Sequence, residues 1–307
     1  MYRKIMGFLE AWKENEHRKP LILQGARQVG KTYSILEFGR IHYENVAYFN
    51  FETNPKLNET FEEKISPDYL IPILSHIAGQ TIVKEKTLIV FDEVQLCERA
   101  LTSLKYFCED APDYHIIVAG SLLGVAVNRA KFSFPVGKVD MKTLYPMDME
   151  EFMIAVGEDE LVEQIKKCFE TNRPMPSALH DAAMQLYRQY LVVGGMPECV
   201  MQFVQTGDYI LIRHTQDTIL TSYLNDMSKY NNLNAIKKTR LAYDNITVQL
   251  SKKNTRFQYN LIKKGGRASE FENAIEWLCL SGIASQVYRV EQIKKPLENY
   301  RDIDAFK

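Results

Sequence analysis

Apolar residues recur along this chain with two different periods, and the change from one to the other lays out its elements. Ile5, Phe8, Leu9 and Trp12 fall at helical spacing, so residues 2–15 are expected to form an amphipathic helix. Pro20 to Leu23 is a short apolar run that suits a strand, and Tyr33 to Phe38 places its apolar residues on one helix face. Val46 to Asn50 reads as a second strand and Pro67 to Ala78 as a short helix. Thr87-Leu-Ile-Val-Phe-Asp92 is apolar almost throughout, as expected of a parallel strand covered on both faces. His115 to Ser121 repeats that pattern, and Lys138 to Leu144 is a weaker strand candidate. Strands alternating with helices over the first 150 residues predict an α/β fold with a parallel sheet and right-handed crossovers. Such sheets place ligands at the carboxyl ends of their strands.

The pattern changes after Pro146. Asp148 to Val156, Asp159 to Glu170 and Ser177 to Val193 are helical, the last stopped by Gly194-Gly195-Met196-Pro197. Helices continue to about Leu250. Arg256 to Leu261 then alternates like a strand, Ala268 to Leu280 is amphipathic, and Ile283 to Val290 returns to a strand pattern that Gln292 to Tyr300 could close into a hairpin. Helix, helix, hairpin is the order of a winged helix. The expected division is therefore an α/β domain over 1–155, a helical lid or linker over 156–205, and a helical, winged-helix-like domain over 206–307.

At 307 residues the chain exceeds what one core usually organises, and 46% hydrophobic with 25% charged residues is an ordinary globular balance. No apolar run is long enough to span a bilayer, and the charged N-terminus does not read as a signal peptide. Five scattered cysteines without C-x-x-C argue against a disulfide framework or structural zinc, and fit a cytoplasmic protein. Charge, by contrast, is segregated. Lys229 to Arg267 holds ten basic residues against Asp244, a net +9, so the remainder sums to −10 against a total of −1. Such a segment suits a polyanion, nucleic acid such as duplex DNA first among them; a solvated basic face, or one paired with the acidic remainder, is an equal alternative.

Between the first strand and helix stands Gly25-Ala26-Arg27-Gln28-Val29-Gly30-Lys31-Thr32, which satisfies G-x-x-x-x-G-K-[S/T]. A triphosphate is a dense anion that needs many donors at short range. A glycine-rich loop lets successive N–H groups converge on it, and the following helix adds the positive end of its dipole. Lys31 is expected to reach the β- and γ-phosphates and Thr32 to ligate Mg²⁺. About 55 residues further on, Leu88-Ile-Val-Phe-Asp92-Glu93 delivers two carboxylates at a strand end. Asp92 is expected to hold Mg²⁺ and Glu93 to orient and deprotonate an attacking water. A P-loop kinase does not need Glu93, so the pair points to hydrolysis. Ser121, at the end of the next apolar strand, is the candidate sensor of the γ-phosphate, and Gln95 either helps to place water or is an ordinary surface residue. Arg129, Arg99 and Lys138 are the candidates for a cation on the transferring phosphoryl group, which a neighbouring copy could also supply.

These motifs resemble those of prokaryotic AAA-type P-loop ATPases of the archaeal-ATPase/STAND-like kind that carry a DUF4143-type C-terminal domain. The resemblance rests on residues 25–32, Phe-Asp-Glu-Val-Gln at 91–95, Ala-Gly-Ser at 119–121 and Leu-Tyr-Pro-Met at 144–147. It continues with Glu-Glu-Phe at 150–152, Gly-Gly-Met-Pro-Glu at 194–198 and Arg-Ala-Ser-Glu-Phe-Glu-Asn-Ala-Ile-Glu-Trp-Leu at 267–278. It implies a RecA/AAA-like (ASCE) sheet, ATP with Mg²⁺, and Walker roles for Lys31, Thr32, Asp92 and Glu93. Relatives often show Gly-Arg where this chain has Gly137-Lys138, and they continue past Lys307 into a nuclease-like fold, so the chain reads as truncated. The expected function is Mg-dependent ATP hydrolysis that switches the C-terminal region toward DNA, a protein partner or another copy of itself. The alternative is a DNA-binding regulator for which ATP is only a ligand.

Overall fold

The computed structural model describes residues 1–120, 134–229, 233–253 and 256–307, without the side chains of Lys229 and of residues 303–305. Five parallel strands form the main sheet: β1 (Leu21–Gln24), β2 (Asn45–Asn50), β3 (Thr87–Asp92), β4 (His115–Gly120) and β5 (Asp140–Thr143), in the order β2-β3-β4-β1-β5. After β1 the chain crosses to the far edge, returns through β3 and β4, and passes over β1 to reach β5. The carboxyl end of β1 is thus where the winding changes side, the place at which such sheets bind ligands. β3 and β4 are buried at every position, which explains their unbroken apolar runs. β5 lies on the edge and is partly exposed, so Asp140-Met-Lys-Thr143 gave only a weak sequence signal.

The first helix, α1 (Ile5–Glu14), buries Ile5, Leu9 and Trp12, the spacing read from the sequence. Next, α2 (Lys31–His42) follows β1 and buries Ser34, Ile35 and Phe38. Two further helices, α3 (Leu57–Glu63) and α4 (Pro67–Ala78), precede β3, with Pro67 at the start of α4 and Gly79 left-handed at its end. A single 3₁₀ turn, Val94–Leu96, leads into α5 (Glu98–Asp110). Phe49, Phe51, Phe61 and Phe91 meet at centroid separations of 5.7–5.9 Å and form the aromatic centre of the core on this side of the sheet.

Beyond β5 come α6 (Met149–Ala155), α7 (Asp159–Glu170), α8 (Ser177–Val193), α9 (Pro197–Thr206) and α10 (Tyr209–Lys229). Helix α6 opens with a capping box: Asp148 accepts from the Glu151 amide while Glu151 accepts from the Asp148 amide. Met153, Leu161 and Val162 form a small second core there.

The chain divides into two compact units, Met1–Asp217 and Thr218–Lys307. In the second, α11 (Leu233–Leu250) packs on α13 (Ala268–Leu280), with the short α12 (Tyr259–Ile262) between them in sequence. Phe271, Ala274, Ile275, Trp277 and Leu278 line the buried face of α13. Two expectations fail here. Arg256–Leu261 is not a strand, because Gln249 of α11 takes up the backbone of Gln258 on both sides, accepting from its N–H at 2.7 Å and donating to its carbonyl at 3.2 Å. Phe257 makes one backbone bond to the last strand, its N–H donating to the Phe306 carbonyl at 2.7 Å, before the chain turns into α12. The hairpin exists, but β6 is only Tyr288–Val290 and the returning strand is β7 (Arg301–Phe306). Residues Gln292–Tyr300 form its connection, which contains Pro296, without an N–H to offer a ladder, and a 3₁₀ turn at Leu297–Tyr300.

Candidate functional site

The loop from Gly25 to Gly30 is shaped by two close approaches. Gly25 has φ +152°, and a Cβ there would lie 2.2 Å from the Leu144 carbonyl oxygen, so no other residue fits without moving the backbone. Gly30, at φ +91°, is the left-handed residue from which α2 starts. The loop therefore ends at a helix N-terminus whose first N–H groups have no helical partners.

Lys31, the first residue of α2, is 7% exposed and folds back over the loop, donating to the Gly25 and Ala26 carbonyls at 2.9 and 2.8 Å. Burial lowers its pKa to about 8 against the pull of Glu93 and Asp92, and Arg27 lowers it further. Thr32 donates to Asp92 Oδ2 at 2.9 Å, across 60 residues of sequence. The same oxygen accepts from the Tyr48 phenol at 2.7 Å, and Asp92 Oδ1 accepts from the Glu93 N–H at 3.0 Å. Burial raises the Tyr48 pKa to about 12. Glu93 takes a left-handed backbone, φ +52°, which turns the chain off β3, and its carboxylate accepts from the Gln95 amide. Among the described residues Gln95 Oε1 is buried and has no partner.

Lys31, Thr32, Asp92 and Glu93 border one cavity of about 430 Å³, which Arg27, Gln28, Gly30, Met1, Arg3 and residues of α9 also line. Thr32 and Asp92 offer neighbouring oxygens of the kind a hard divalent cation takes, and the loop offers a cation and main-chain donors, so the donor set fits a metal–triphosphate. A second cavity, of about 470 Å³, lies in the C-terminal unit and is lined mainly by apolar residues such as Ile246, Ile275, Leu278 and Phe306.

A five-stranded parallel sheet in this order thus carries a phosphate-type loop after the inner strand β1 and paired acids at the end of β3. Residues 17–153 match the AAA domain family. Residues 184–307 match a domain of unknown function (DUF8612) rather than the DUF4143 type suggested by the motifs. No curated protein matches the chain. Among solved structures, Aeropyrum pernix ORC2 in ADPNP–ADP complexes is similar at 12% identity, covering 93% of this chain and 88% of that one with a TM-score of 0.47. The Thermotoga maritima RuvB Holliday junction branch migration motor is similar at 13% identity, covering 92% and 88% with a TM-score of 0.38. AMPPCP-bound DnaA from Aquifex aeolicus is similar at 11% identity, covering 90% of each chain with a TM-score of 0.38. No helix among the described residues is long and apolar enough to cross a membrane.

The α/β fold thus brings Lys31, Thr32, Asp92 and Glu93 together on one cavity. Ser121 and Arg129 lie outside the described residues. The other two candidates for a phosphate-facing cation are engaged elsewhere: Arg99 donates to the Phe61 carbonyl, and Lys138 pairs with Glu109 at 2.9 Å. Neither lines the cavity. Several residues at the site were not assigned to it from the sequence. Tyr48 sits on an edge strand, where an aromatic residue is unremarked. Pro197, Glu198 and Met201 reach the cavity because α9 begins beside the loop; a Cβ on Gly30 would lie 3.6 Å from Pro197 Cγ. Gly194-Gly195 makes that approach possible, since a Cβ on Gly195 would stand 2.1 Å from the Met147 carbonyl oxygen. The motifs at 144–147 and 194–198 are therefore two sides of one contact.

Proposed function

We propose that this chain binds ATP with Mg²⁺ in the cavity of its AAA domain and hydrolyses it. The observation that carries the reading is the convergence of Lys31, Thr32, Asp92 and Glu93, from two distant segments, on one cavity beside a helix N-terminus. Loop N–H groups and Lys31 would bind the phosphates, and Thr32 and Asp92 would hold the cation. Mg²⁺, when bound, supplies charge neutralisation on the β- and γ-oxygens. Glu93 would take the proton of the attacking water, with Gln95 holding its carboxylate until that water arrives. Ser121 is proposed as the γ-phosphate sensor. The test is Glu93→Gln, measured by calorimetry with Mg·ATP and by steady-state phosphate release. Binding should persist while turnover falls to background; turnover equal to the parent would remove Glu93 from the chemistry.

The division into an α/β domain over 1–155, a helical lid over 156–205 and a partner-facing region over 206–307 fits this cycle. Contact of α9 with the loop gives occupancy a route into the helical part.

A second reading, a DNA-binding regulator, rests on the exposed cations of the C-terminal unit. Lys237, Arg240, Lys252, Lys253, Lys264 and Arg267 are all exposed. Helix α13, the groove-reading helix if the unit is a winged helix, instead exposes Glu272 and Glu276, which repel phosphate. DNA would therefore meet α11 and the Lys263–Arg267 turn, through the backbone and without base reading. Affinity for duplex DNA should then fall steeply between low and physiological salt. A flat salt response would remove this reading.

A further inference from the structure

Arg3 stands just before α1 and is 5% exposed. All three of its guanidinium nitrogens are committed. Nε donates to Glu151 Oε1 at 3.2 Å, Nη1 to the Val29 carbonyl at 2.9 Å and Nη2 to the Tyr145 carbonyl at 2.8 Å. Two of these acceptors belong to the surroundings of the phosphate-type loop. Val29 immediately precedes Gly30, and Tyr145 follows Leu144, whose carbonyl abuts Gly25 at the other end of the loop. Leu144 is itself fixed to β1 by its N–H bond to the Gln24 carbonyl at 2.8 Å. Arg3 thus closes a ring that runs from Gly25 through Leu144 and Tyr145 to Val29.

A trans peptide holds its C=O and N–H pointing to opposite sides. Holding the Val29 carbonyl toward Arg3 therefore turns the Gly30 N–H away from Arg3, and Gly30 and Arg3 both border the cavity. Glu151 is in turn held from several directions. It accepts from the Lys4 N–H at 2.7 Å and from the Asp148 N–H at 3.2 Å, and it is itself buried. A lysine is a poor substitute, since its three donors radiate from one nitrogen, whereas these three acceptors each face a different nitrogen of the planar fork.

We infer that Arg3 is a positioning residue that presets the phosphate loop for nucleotide by fixing the Val29–Gly30 peptide, with Glu151 as its anchor. This rests on the reading of the cavity as an ATP site. A mere staple of α1 to α6 is the competing role, and Lys4 supplies the control. Its ammonium also joins α1 to α6, through Asp148 and Glu150 at 2.6 Å each, without touching the loop.

The experiment compares the parent chain with Arg3→Lys, Arg3→Ala, Glu151→Gln and Lys4→Ala. It measures Kd for Mg·ADP, KM and kcat for ATP, and Tm without nucleotide. We expect Arg3→Lys and Arg3→Ala to weaken Kd and raise KM by about tenfold or more, the loss of one charged hydrogen bond. Glu151→Gln should weaken binding by a smaller factor. Lys4→Ala should lower Tm with Kd unchanged. Arg3→Lys and Glu151→Gln keep the test available if Arg3→Ala does not fold. Arg3 variants that bind nucleotide as tightly as the parent, losing only Tm as Lys4→Ala does, would overturn the inference and leave the ATP site standing. A folded parent that binds no nucleotide would instead overturn the ATP reading, and this inference with it.

Discussion

Lys31 ties nucleotide affinity to pH in a way that can be worked through. Its ammonium is buried, and burial brings its pKa down to about 8 in the ligand-free protein. Bound phosphates would face that ammonium and hold the proton on, so only the protonated fraction of free protein is ready to bind. That fraction is about 0.9 near pH 7 and about 0.1 near pH 9, so Kd should rise by roughly tenfold, or about 1.4 kcal/mol. Stability of the ligand-free protein should move the other way. A base whose folded pKa is lowered leaves the unfolded chain holding more protons between about pH 8 and 10.5, so stability rises through that window, by at most about 3 kcal/mol from this group. The assay is calorimetric titration with Mg·ADP from neutral to alkaline pH, with Lys31→Arg run in parallel. Arginine does not titrate there, which isolates Lys31 from other groups in the window. The Tyr48 phenol, pushed up to about 12, stays protonated throughout. A Kd that is flat with pH, or a Lys31→Arg Kd that rises like the parent's, would refute the reasoning.

Two further perturbations test the same geometry from the side of the main chain and of the cation site. Gly25→Ala places a methyl group 2.2 Å from the Leu144 carbonyl oxygen at a backbone angle that side chains rarely adopt. It should cost on the order of 2–4 kcal/mol in denaturant unfolding and remove nucleotide-induced stabilisation; a Tm within a degree or so of the parent would show that the loop sits elsewhere. Tyr48→Phe removes one of the two side-chain donors on Asp92 Oδ2, the oxygen proposed to serve the cation. The Mg²⁺ concentration giving half-maximal turnover should fall several-fold, the worth of about one hydrogen bond, whereas an unchanged or higher requirement would mean that the phenol orients the carboxylate instead of competing for it.

What the sequence disclosed and what it withheld follow from how far apart the interacting groups lie. Buried strands such as β3 and β4 are written as contiguous apolar runs, and α4 carries its own start and stop in Pro67 and Gly79. The phosphate-type loop is equally local, because one turn of main chain supplies both its shape and its lysine. The strand reading of Arg256–Leu261 failed for the opposite reason: the bonds that decide it come from Gln249 on another helix. The same holds within the site. Arg3 reaches its loop partner over 26 residues and its anchor over 148, and Tyr48 reaches Asp92 over 44. A lone arginine ahead of an amphipathic helix has the same signature as a solvated one until the fold brings Val29, Tyr145 and Glu151 to its three nitrogens. Binding groups that act through their own neighbours are thus open to a linear reading, while the groups that hold them in place are disclosed only by packing. The buried carboxylate of Glu151 makes the point most sharply. In the sequence it stands only within Glu-Glu-Phe at 150–152, and only the fold shows it completing a helix cap with Asp148 and anchoring the arginine that braces the loop.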